Sequence, residues 1–432
     1  PTFLALDWWA LGPVLALTVG AIVLLLLEFL PQRANGNRGG IVSLLTFLFS
    51  GYAVWRVAGE KRELFGGMFV HDPMTVFFTL LFCSVGLLAT LMSWDYVKRT
   101  KINQAEYYAL LLSSVLGMVV MAASNDLVTV FLGLELMSLA LYVMVGFRRS
   151  QLESNEAALK YFLLGAFASG FLLYGIALLY GATGTTSLVG IQQFLSDHVV
   201  KEEGLLLAGL ALLLVGFGFK VAAAPFHMWS PDVYQGAPSP VSAFMSSAVK
   251  VAAFGGMLRV FVTAFDAYRD SWRPAVFVLS VLSLLVGSVM AVRQTNVKRM
   301  LAYSSINHAG FILIGLQAAN KDGVAGSLFY LLTYTFIVLG SFAVVTVVGR
   351  RGDADHALDS YKGLAQRRPV LALLFTLLLL AQAGVPLTSG FVAKFSVIQA
   401  AVEAHSYALA IIAMLSAVVA AFFYLRVIVN MW

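Results

Sequence analysis

Long stretches of apolar residues, repeated from one end of the chain to the other, constrain this sequence more than any other feature in it. Thirteen can be read, at about 10–30, 41–57, 73–93, 105–122, 126–146, 157–180, 204–222, 240–264, 274–292, 300–318, 324–348, 369–404 (interrupted) and 407–430. Most reach the roughly 17–25 residues with which a helix crosses the ~30 Å hydrocarbon core of a bilayer. In hydrocarbon the backbone amides must be paired internally, and runs of this length do that as helices. Of the 432 residues, 60% are hydrophobic and 12% charged, about half the charge of a soluble domain, and mean hydropathy is +0.86. The expected fold class is an all-α polytopic membrane protein with about thirteen transmembrane helices.

A net charge of +6 would suit a nucleic-acid partner, but the positions of the charges refuse that reading. The loops after runs 1, 3, 5, 9 and 11 hold Arg33 and Arg38; Lys98, Arg99 and Lys101; Arg148 and Arg149; Arg293, Lys298 and Arg299; and Arg350, Arg351, Lys362, Arg367 and Arg368. The even-numbered loops hold about half as many. The positive-inside rule then places the odd loops on the cytoplasmic side and the N-terminus outside. Trp8, Trp9, Trp55, Trp94 and Trp272 fall near run ends, as an aromatic belt would. The single cysteine, Cys83, excludes an intrachain disulfide. The first run is too long for a signal-peptide core and has no basic flank before it, so no cleavable signal is expected. Because the sequence opens on Pro1, a few leading residues are expected ahead of it.

Two runs are interrupted alike. Run 7 continues into "KVAAAPFHMWSPDVYQGAPSP", broken at Pro225, Pro231, Pro238 and Pro240; run 12 reads "AQAGVPLTSGFVAKF", broken at Gly384, Pro386 and Gly390. Proline removes an intrahelical hydrogen bond, and carbonyls freed at membrane depth must face protein or water. Broken helices at corresponding places in two halves point to a transport site. These two lie five runs apart and therefore cross in opposite directions, as an inverted repeat requires. Runs 4–8 and 9–13 are expected to form two inverted five-helix units, giving segments 1–104, 105–264 and 265–432.

The ionisable residues inside the runs carry the functional argument. Glu135, within "VTVFLGLELMSLALYVMVGF" (128–147), lies eight residues past Leu127, or about 12 Å into the slab. A charge at that depth costs on the order of 3 kcal/mol on insertion scales. The runs also contain Glu28, Lys160, Lys220, Lys250, Arg259, His308 and Lys394. Glu28 and Arg259 lie near run ends, where long side chains snorkel to the interface. Lys160 has Glu156 four residues earlier and reads equally well as a surface pair or a functional group. Lys250 is about ten residues, ~15 Å, into its helix. Lys220 immediately precedes the break in run 7, and Lys394 follows the break in run 12.

Three such lysines against one mid-depth carboxylate cannot all be satisfied by pairing, and this points to a proton relay. Burial disfavours the charged form of an amine and a nearby carboxylate restores it. Glu135 approaching or leaving Lys220 would thus be a switch with one moving charge. His308, in "YSSINHAGF", is about eight residues into run 10 beside Ser304, Ser305 and Asn307, and can bridge proton hops between lysines. His227, beside the run 7 break, is expected to cap freed backbone groups.

The sequence has no CxxC and no cluster with metal-ligand spacing. "GFGFKV" at 216–221 lacks the preceding strand of a dinucleotide fingerprint, and "GATGTTSLVG" at 181–190 reads as a turn-rich external loop. The chain itself is expected to bind no nicotinamide, flavin, haem or iron–sulfur cluster.

"FLGLELMSLALYVMVGF", "KVAAAPFHMWSPDVYQGAPSPVSAFMSSAVK", "NVKRMLAYSSINHAGFILIG" and "GVPLTSGFVAKF" closely resemble the antiporter-like N-type membrane subunit of proton-pumping NADH:quinone oxidoreductase, respiratory complex I. The resemblance runs from about residue 70 to the end, and the first three helices are compatible with it. The wider family is similar to the large subunits of Mrp-type sodium/proton antiporters. The resemblance matches Glu135 to a helix 5 glutamate, Lys160 to a helix 6 lysine, Lys220 to the broken-helix 7 lysine with which the glutamate pairs, Lys250 to a central helix 8 lysine, and Lys394 to a helix 12 lysine near the outlet. It implies outward proton movement driven by redox chemistry elsewhere, with NADH, FMN, iron–sulfur clusters and quinone held by partner subunits. It implies other membrane subunits as partners, a bacterial inner or equivalent energy-coupling membrane, and a fourteenth helix beyond "AFFYLRVIVNMW". Two other readings stand beside it: a sodium/proton antiporter subunit, and a non-conducting scaffold whose charges only tie helices together.

Overall fold

The computed structural model describes residues 7–29, 37–100, 102, 105–198, 200, 203–349, 353 and 355–432. Helices α1 (Gly12–Leu27) and α2 (Arg38–Arg56) precede a small antiparallel hairpin, β1 (Arg62–Leu64) and β2 (Phe69–His71), with Glu63 opposite Val70. There follow α3 (Pro73–Arg99), α4 (Ala105–Ala123), α5 (Leu127–Val145), α6 (Leu152–Thr183) and the short α7 (Leu188–Asp197). Run 7 divides into α8 (Glu203–Lys220) and α9 (Trp229–Gly236). Helix α10 (Ser239–Ala264) contains one π turn, at Met245–Val249. Then come α11 (Arg269–Val292), α12 (Val297–Ala318) and α13 (Lys321–Val348). Run 12 divides into α14 (Pro369–Ala383) and α15 (Ser389–Glu403), and α16 (Tyr407–Met431) ends the bundle. Each of the thirteen runs thus becomes one helix or one broken helix. Among the described residues, nine helices are long and apolar enough to cross a membrane.

Local chemistry sets where the helices begin and end. Pro73 and Pro369 occupy first helical positions and Pro13 the second, where a missing N–H is not needed. Asp72, Asp126, Asn296, Asn320 and Thr388 cap helix N-termini by accepting backbone N–H groups. The four prolines of run 7 make a single break. Pro225 lies in the gap after Lys220, Pro231 in the first turn of α9, and Pro238 and Pro240 flank the start of α10, where a helix tolerates them. In run 12, Gly384 adopts φ +83 at the end of α14 and Thr388 caps α15.

Close helix contacts use small residues, as membrane bundles do. A Cβ on Gly117 of α4 would stand 2.6 Å from the Gly133 carbonyl of α5. The centre of the molecule is occupied by α10 and α12. All of the apolar window of α10 is buried, and in α12 every residue but Arg299 is buried. Peripheral helices present apolar side chains outward, such as Phe167 and Phe171 on α6 and Leu415 and Val418 on α16.

Several expectations change. The hairpin has strands of three residues, too short for any periodicity to register. In "GATGTTSLVG" only the middle is a turn: Gly181–Thr183 finish α6, and Ser187 caps α7 through Gly190 N. Trp272 does not join the aromatic belt; it is buried with Nε1 donating to the Phe265 carbonyl, whereas Trp8, Trp9 and Trp55 are exposed. Arg259 does not snorkel. Its guanidinium donates to both Asp72 carboxylate oxygens at 2.8 Å and to Thr75 Oγ1 at 3.0 Å, joining α10 to the N-terminus of α3. Burial alone would raise the Asp72 carboxyl, but Arg259 and the Thr75 donors outweigh it and hold it below the usual carboxylate range. Glu28 accepts from Ala105 N at 3.0 Å. Arg33, Lys101, Arg350 and Arg351 of the charge alternation lie outside the described residues.

Candidate functional site

The break after α8 creates the first part of the site. Lys220 is the last residue of α8, and its ammonium donates to Ser138 Oγ of α5 at 2.6 Å and to Tyr161 OH of α6 at 2.9 Å. It lies over the faces of the Tyr161 and Tyr142 rings, 5.0 and 5.6 Å from their centroids, a seat that stabilises a desolvated cation. Tyr161 is itself held by stacking on Trp229 of α9, centroids 4.6 Å apart. Glu135 stands one turn before Ser138 on α5, half-buried, and accepts a hydrogen bond from Ser169 of α6. Among the described residues no ion pair joins Glu135 to Lys220. Serine and tyrosine hydroxyls are the direct partners of Lys220, and Glu135 acts on it through its charge.

Lys160 lies in a separate polar recess. Its ammonium bridges Glu156 at 2.7 Å and Asp232 of α9 at 2.8 Å, and Asp232 also pairs with Arg299 of α12 at 2.5 Å. These groups, with Glu153 and Gln235, line a polar recess of about 140 Å³. The Glu156 pair read from sequence is therefore present, with a second carboxylate that sequence spacing could not show.

Lys250 projects from α10 directly after the π turn and is 2% exposed. A π turn inside an α-helix widens the local backbone and is common at functional sites. The Lys250 ammonium donates to the Ser305 carbonyl of α12 at 2.6 Å, and Ser305 Oγ accepts from Tyr334 OH of α13 at 2.9 Å. Among the described residues no ion pair includes Lys250.

The Tyr334 ring lies against His308, centroids 4.8 Å apart, and at His308 a separate bonded chain of polar groups begins. His308 Nδ1 meets Tyr330 OH at 2.7 Å, and Nε2 meets Tyr424 OH at 3.1 Å. Tyr424 OH also bonds Ser304 Oγ, which donates to Gln382 Oε1 at 3.2 Å. The backbone of the same Gln382 then receives Lys394: its ammonium donates to the Gln382 and Ala383 carbonyls, both at 2.9 Å, and lies 4.8 Å from the Phe311 ring centroid. These are the carbonyls that the break after α14 frees.

The structure thus brings His308 and Lys394 into one network and places Lys250 beside it, through Ser305 and the Tyr334 ring that packs on His308. It keeps Lys220 with Glu135 in a neighbouring pocket and Lys160 in the recess. His227 bonds the Pro225 backbone at the break, the capping role expected of it, while its Nδ1 has no hydrogen-bond partner. Ser138, Tyr161, Asp232, Arg299, Tyr330, Tyr424 and Gln382 were not singled out by sequence reasoning. Ser138 had a faint signal, being three residues from Glu135 and so on the same helix face. Serines and tyrosines scattered through apolar helices otherwise carry no contrast.

A family model described as NADH:quinone oxidoreductase/Mrp antiporter, transmembrane region, matches residues 124–420. NADH-quinone oxidoreductase subunit N of Trichlorobacter lovleyi is 45% identical over 419 residues, covering 97% of this chain and 86% of the relative. A chain of respiratory complex I from Thermus thermophilus superposes with a TM-score of 0.83 at 34% identity, covering 97% of this chain and 90% of that one. A chain of the Mrp complex from a Dietzia species superposes at 0.87 with 22% identity, covering 98% and 80%; that likeness concerns the fold alone.

Proposed function

Because the chain belongs to the NADH:quinone oxidoreductase/Mrp antiporter membrane-subunit family, we infer that it works as a proton-translocating membrane subunit of NADH:quinone oxidoreductase. It is a multi-pass membrane protein whose partners are the other membrane subunits of that complex. Its own part is to move protons, while NADH, FMN, iron–sulfur clusters and quinone are handled by partner subunits. Glu135, Lys160, Lys220, Lys250, His308 and Lys394 would carry the relay. The N-terminus would face outside, and the membrane would be a bacterial inner membrane, as the bacterial relatives suggest.

One observation carries this reading. Lys250 is 2% exposed at the centre of the bundle, and its ammonium rests on a neutral carbonyl rather than a carboxylate. A cation that only tied helices together would be paired, because an uncompensated buried charge is strongly destabilising. A group that must bind and release a proton gains from an environment in which neither form is locked. Proton movement would then use the tyrosine, serine, histidine and glutamine groups between Lys250 and Lys394, each able to accept and donate.

The test is Lys250→Ala in the intact complex, with protons pumped per NADH oxidised in sealed membrane vesicles as the readout. The expected result is a loss of pumping with the complex still assembled. Unchanged pumping would remove the central member of the relay. The sodium/proton antiporter reading is supported by the shared family model, and one purification separates the two. Flavin, iron and NADH:quinone reductase activity should co-elute with this chain, whereas an antiporter would bring only small membrane proteins and sodium-dependent exchange.

A further inference from the structure

A second cluster of charged groups lies on the basic side of the bundle, outside the relay, and is built around one carboxylate. Asp353, in the loop between α13 and α14, has a side chain only 1% exposed. One of its oxygens accepts from Ser239 Oγ at 2.5 Å and meets His356 Nε2 at 2.9 Å. The other accepts from Ser239 N at 2.8 Å and Tyr96 OH at 2.9 Å. Lys298 and Arg148 approach that second oxygen, each at 3.7 Å. Lys298 also donates to the Ala237 carbonyl, just before α10, at 2.7 Å.

Much of the loop's geometry serves this contact. Asp353 adopts φ +54, a left-handed conformation that aspartate tolerates better than most residues. Gly349 leaves the space required, since a Cβ there would lie 2.7 Å from the His356 ring and 3.1 Å from Asp353 Oδ1. The far side of the loop is stitched to the start of α12 by Val297 N to the His356 carbonyl and Leu358 N to the Thr295 carbonyl, both at 2.8 Å.

The consequence concerns two helices. Ser239 begins α10 and Lys298 lies in the first turn of α12. Lys250 is three turns along α10, and Ser305 two turns along α12 from Lys298. One buried carboxylate therefore holds the starts of the two helices whose midpoints meet in the Lys250–Ser305 contact. Among the described residues no hydrogen bond or ion pair joins Asp353 to a relay residue. We propose that Asp353 is a positioning residue: it sets the heights and rotations of α10 and α12 relative to each other, and so the alignment of Lys250 with Ser305. This rests on the relay reading above.

The test uses the intact complex, with turnover normalised to assembled complex by bound flavin. Asp353→Asn keeps the size and loses the charge that gathers Ser239, Lys298 and Arg148. Misplacement of a reacting group by about an ångström can cost up to about a hundredfold. Coupled turnover and pumping per assembled complex are expected to fall together by about tenfold at unchanged quinone KM, with Asp353→Glu recovering part of the loss. A merely structural role would lower the amount of complex and leave each assembled molecule normal. That outcome overturns the proposal. So does full recovery in Asp353→Asn/Lys298→Met, which would reduce the role to charge balance. If Asp353→Asn fails to assemble, Ser239→Ala decides: it removes only the Oγ donor and is expected to lower per-complex turnover about twofold, while wild-type turnover refutes the proposal. Lys250→Ala in parallel keeps the two readings apart: unchanged pumping there refutes the relay and the positioning role with it, whereas lost pumping there beside normal per-complex turnover in Asp353→Asn refutes the positioning role alone.

Discussion

Lys220 and Lys394 each sit at a broken helix, yet their surroundings differ in kind. The Lys220 ammonium leaves its own break and rests on two hydroxyls of neighbouring helices, Ser138 and Tyr161. Lys394 reaches back across its break and rests on two backbone carbonyls, Gln382 and Ala383. A carbonyl only accepts and serves an ammonium or the N–H of a neutral amine alike, whereas a hydroxyl can also donate to the lone pair that a neutral amine exposes. Ser138 already donates to the Leu134 carbonyl, leaving Tyr161 as the adaptable partner. The carbonyls at a helix C-terminus add the negative end of its dipole. The same break-plus-lysine pattern therefore makes a switchable seat in one half of the molecule and a cation-holding seat in the other.

The largest effect expected from this difference is in arginine substitutions, because arginine stays charged. Lys220→Arg should lower proton pumping by a hundredfold or so, the scale of losing a general acid–base group. Lys394→Arg should cost less, about tenfold, because its seat already favours the cation, and Lys394→Met should cost more, since it removes both the charge and the proton. Equal damage from both arginine variants, measured in vesicles, would abolish the distinction. Next in size is Tyr161→Phe, which removes the adaptable hydroxyl and is expected to lower turnover about tenfold, the equivalent of one hydrogen bond to a charged group; the matching change Phe311→Leu beside Lys394 should cost far less in the same assay.

Smaller still is Gly384→Ala. It forces a side chain into φ +83 and places a Cβ 2.9 Å from Lys394 Cδ, so the assembled complex should lose about 1–3 kcal/mol of stability, read as a lower melting temperature. The smallest effect is on pH. Burial alone would raise the Asp353 carboxyl, but Lys298, His356 and Ser239 outweigh it and leave it well below the usual carboxylate range. A carboxyl depressed by folding stabilises above its unfolded value, near 3.9, and that stability is lost as pH falls through the folded value. Melting temperature should therefore be insensitive to this group from pH 8 to about 5, and Asp353→Asn should flatten the acid limb below roughly pH 4.

Much of the fold was legible because hydropathy is a property of short windows. The runs at 73–93 and 126–146 became α3 and α5 with ends set by Asp72, Arg99 and Asp126, all visible as polar residues at the edge of an apolar stretch. Both helix breaks were legible through proline and glycine, which act on their own backbone. The mid-depth positions of Lys250 and His308 followed from counting along a helix, and both are buried. Arg259 shows where this stops: its depth suggested snorkelling, but its partner Asp72 lies 187 residues away.

What the sequence determined alone is the set of long apolar helices, where they break, and which ionisable groups they carry into the membrane. These depend on each residue's affinity for lipid or water and on local backbone geometry, which act over a turn or two. Tertiary structure alone decided what each charge touches. It gave Lys220 hydroxyls as direct partners, gave Lys394 carbonyls, joined His308 to Gln382 through Tyr424 and Ser304, and gathered five segments around Asp353. A hydrogen bond depends on distance and angle within tenths of an ångström, and those are set only when helices far apart in the chain have packed.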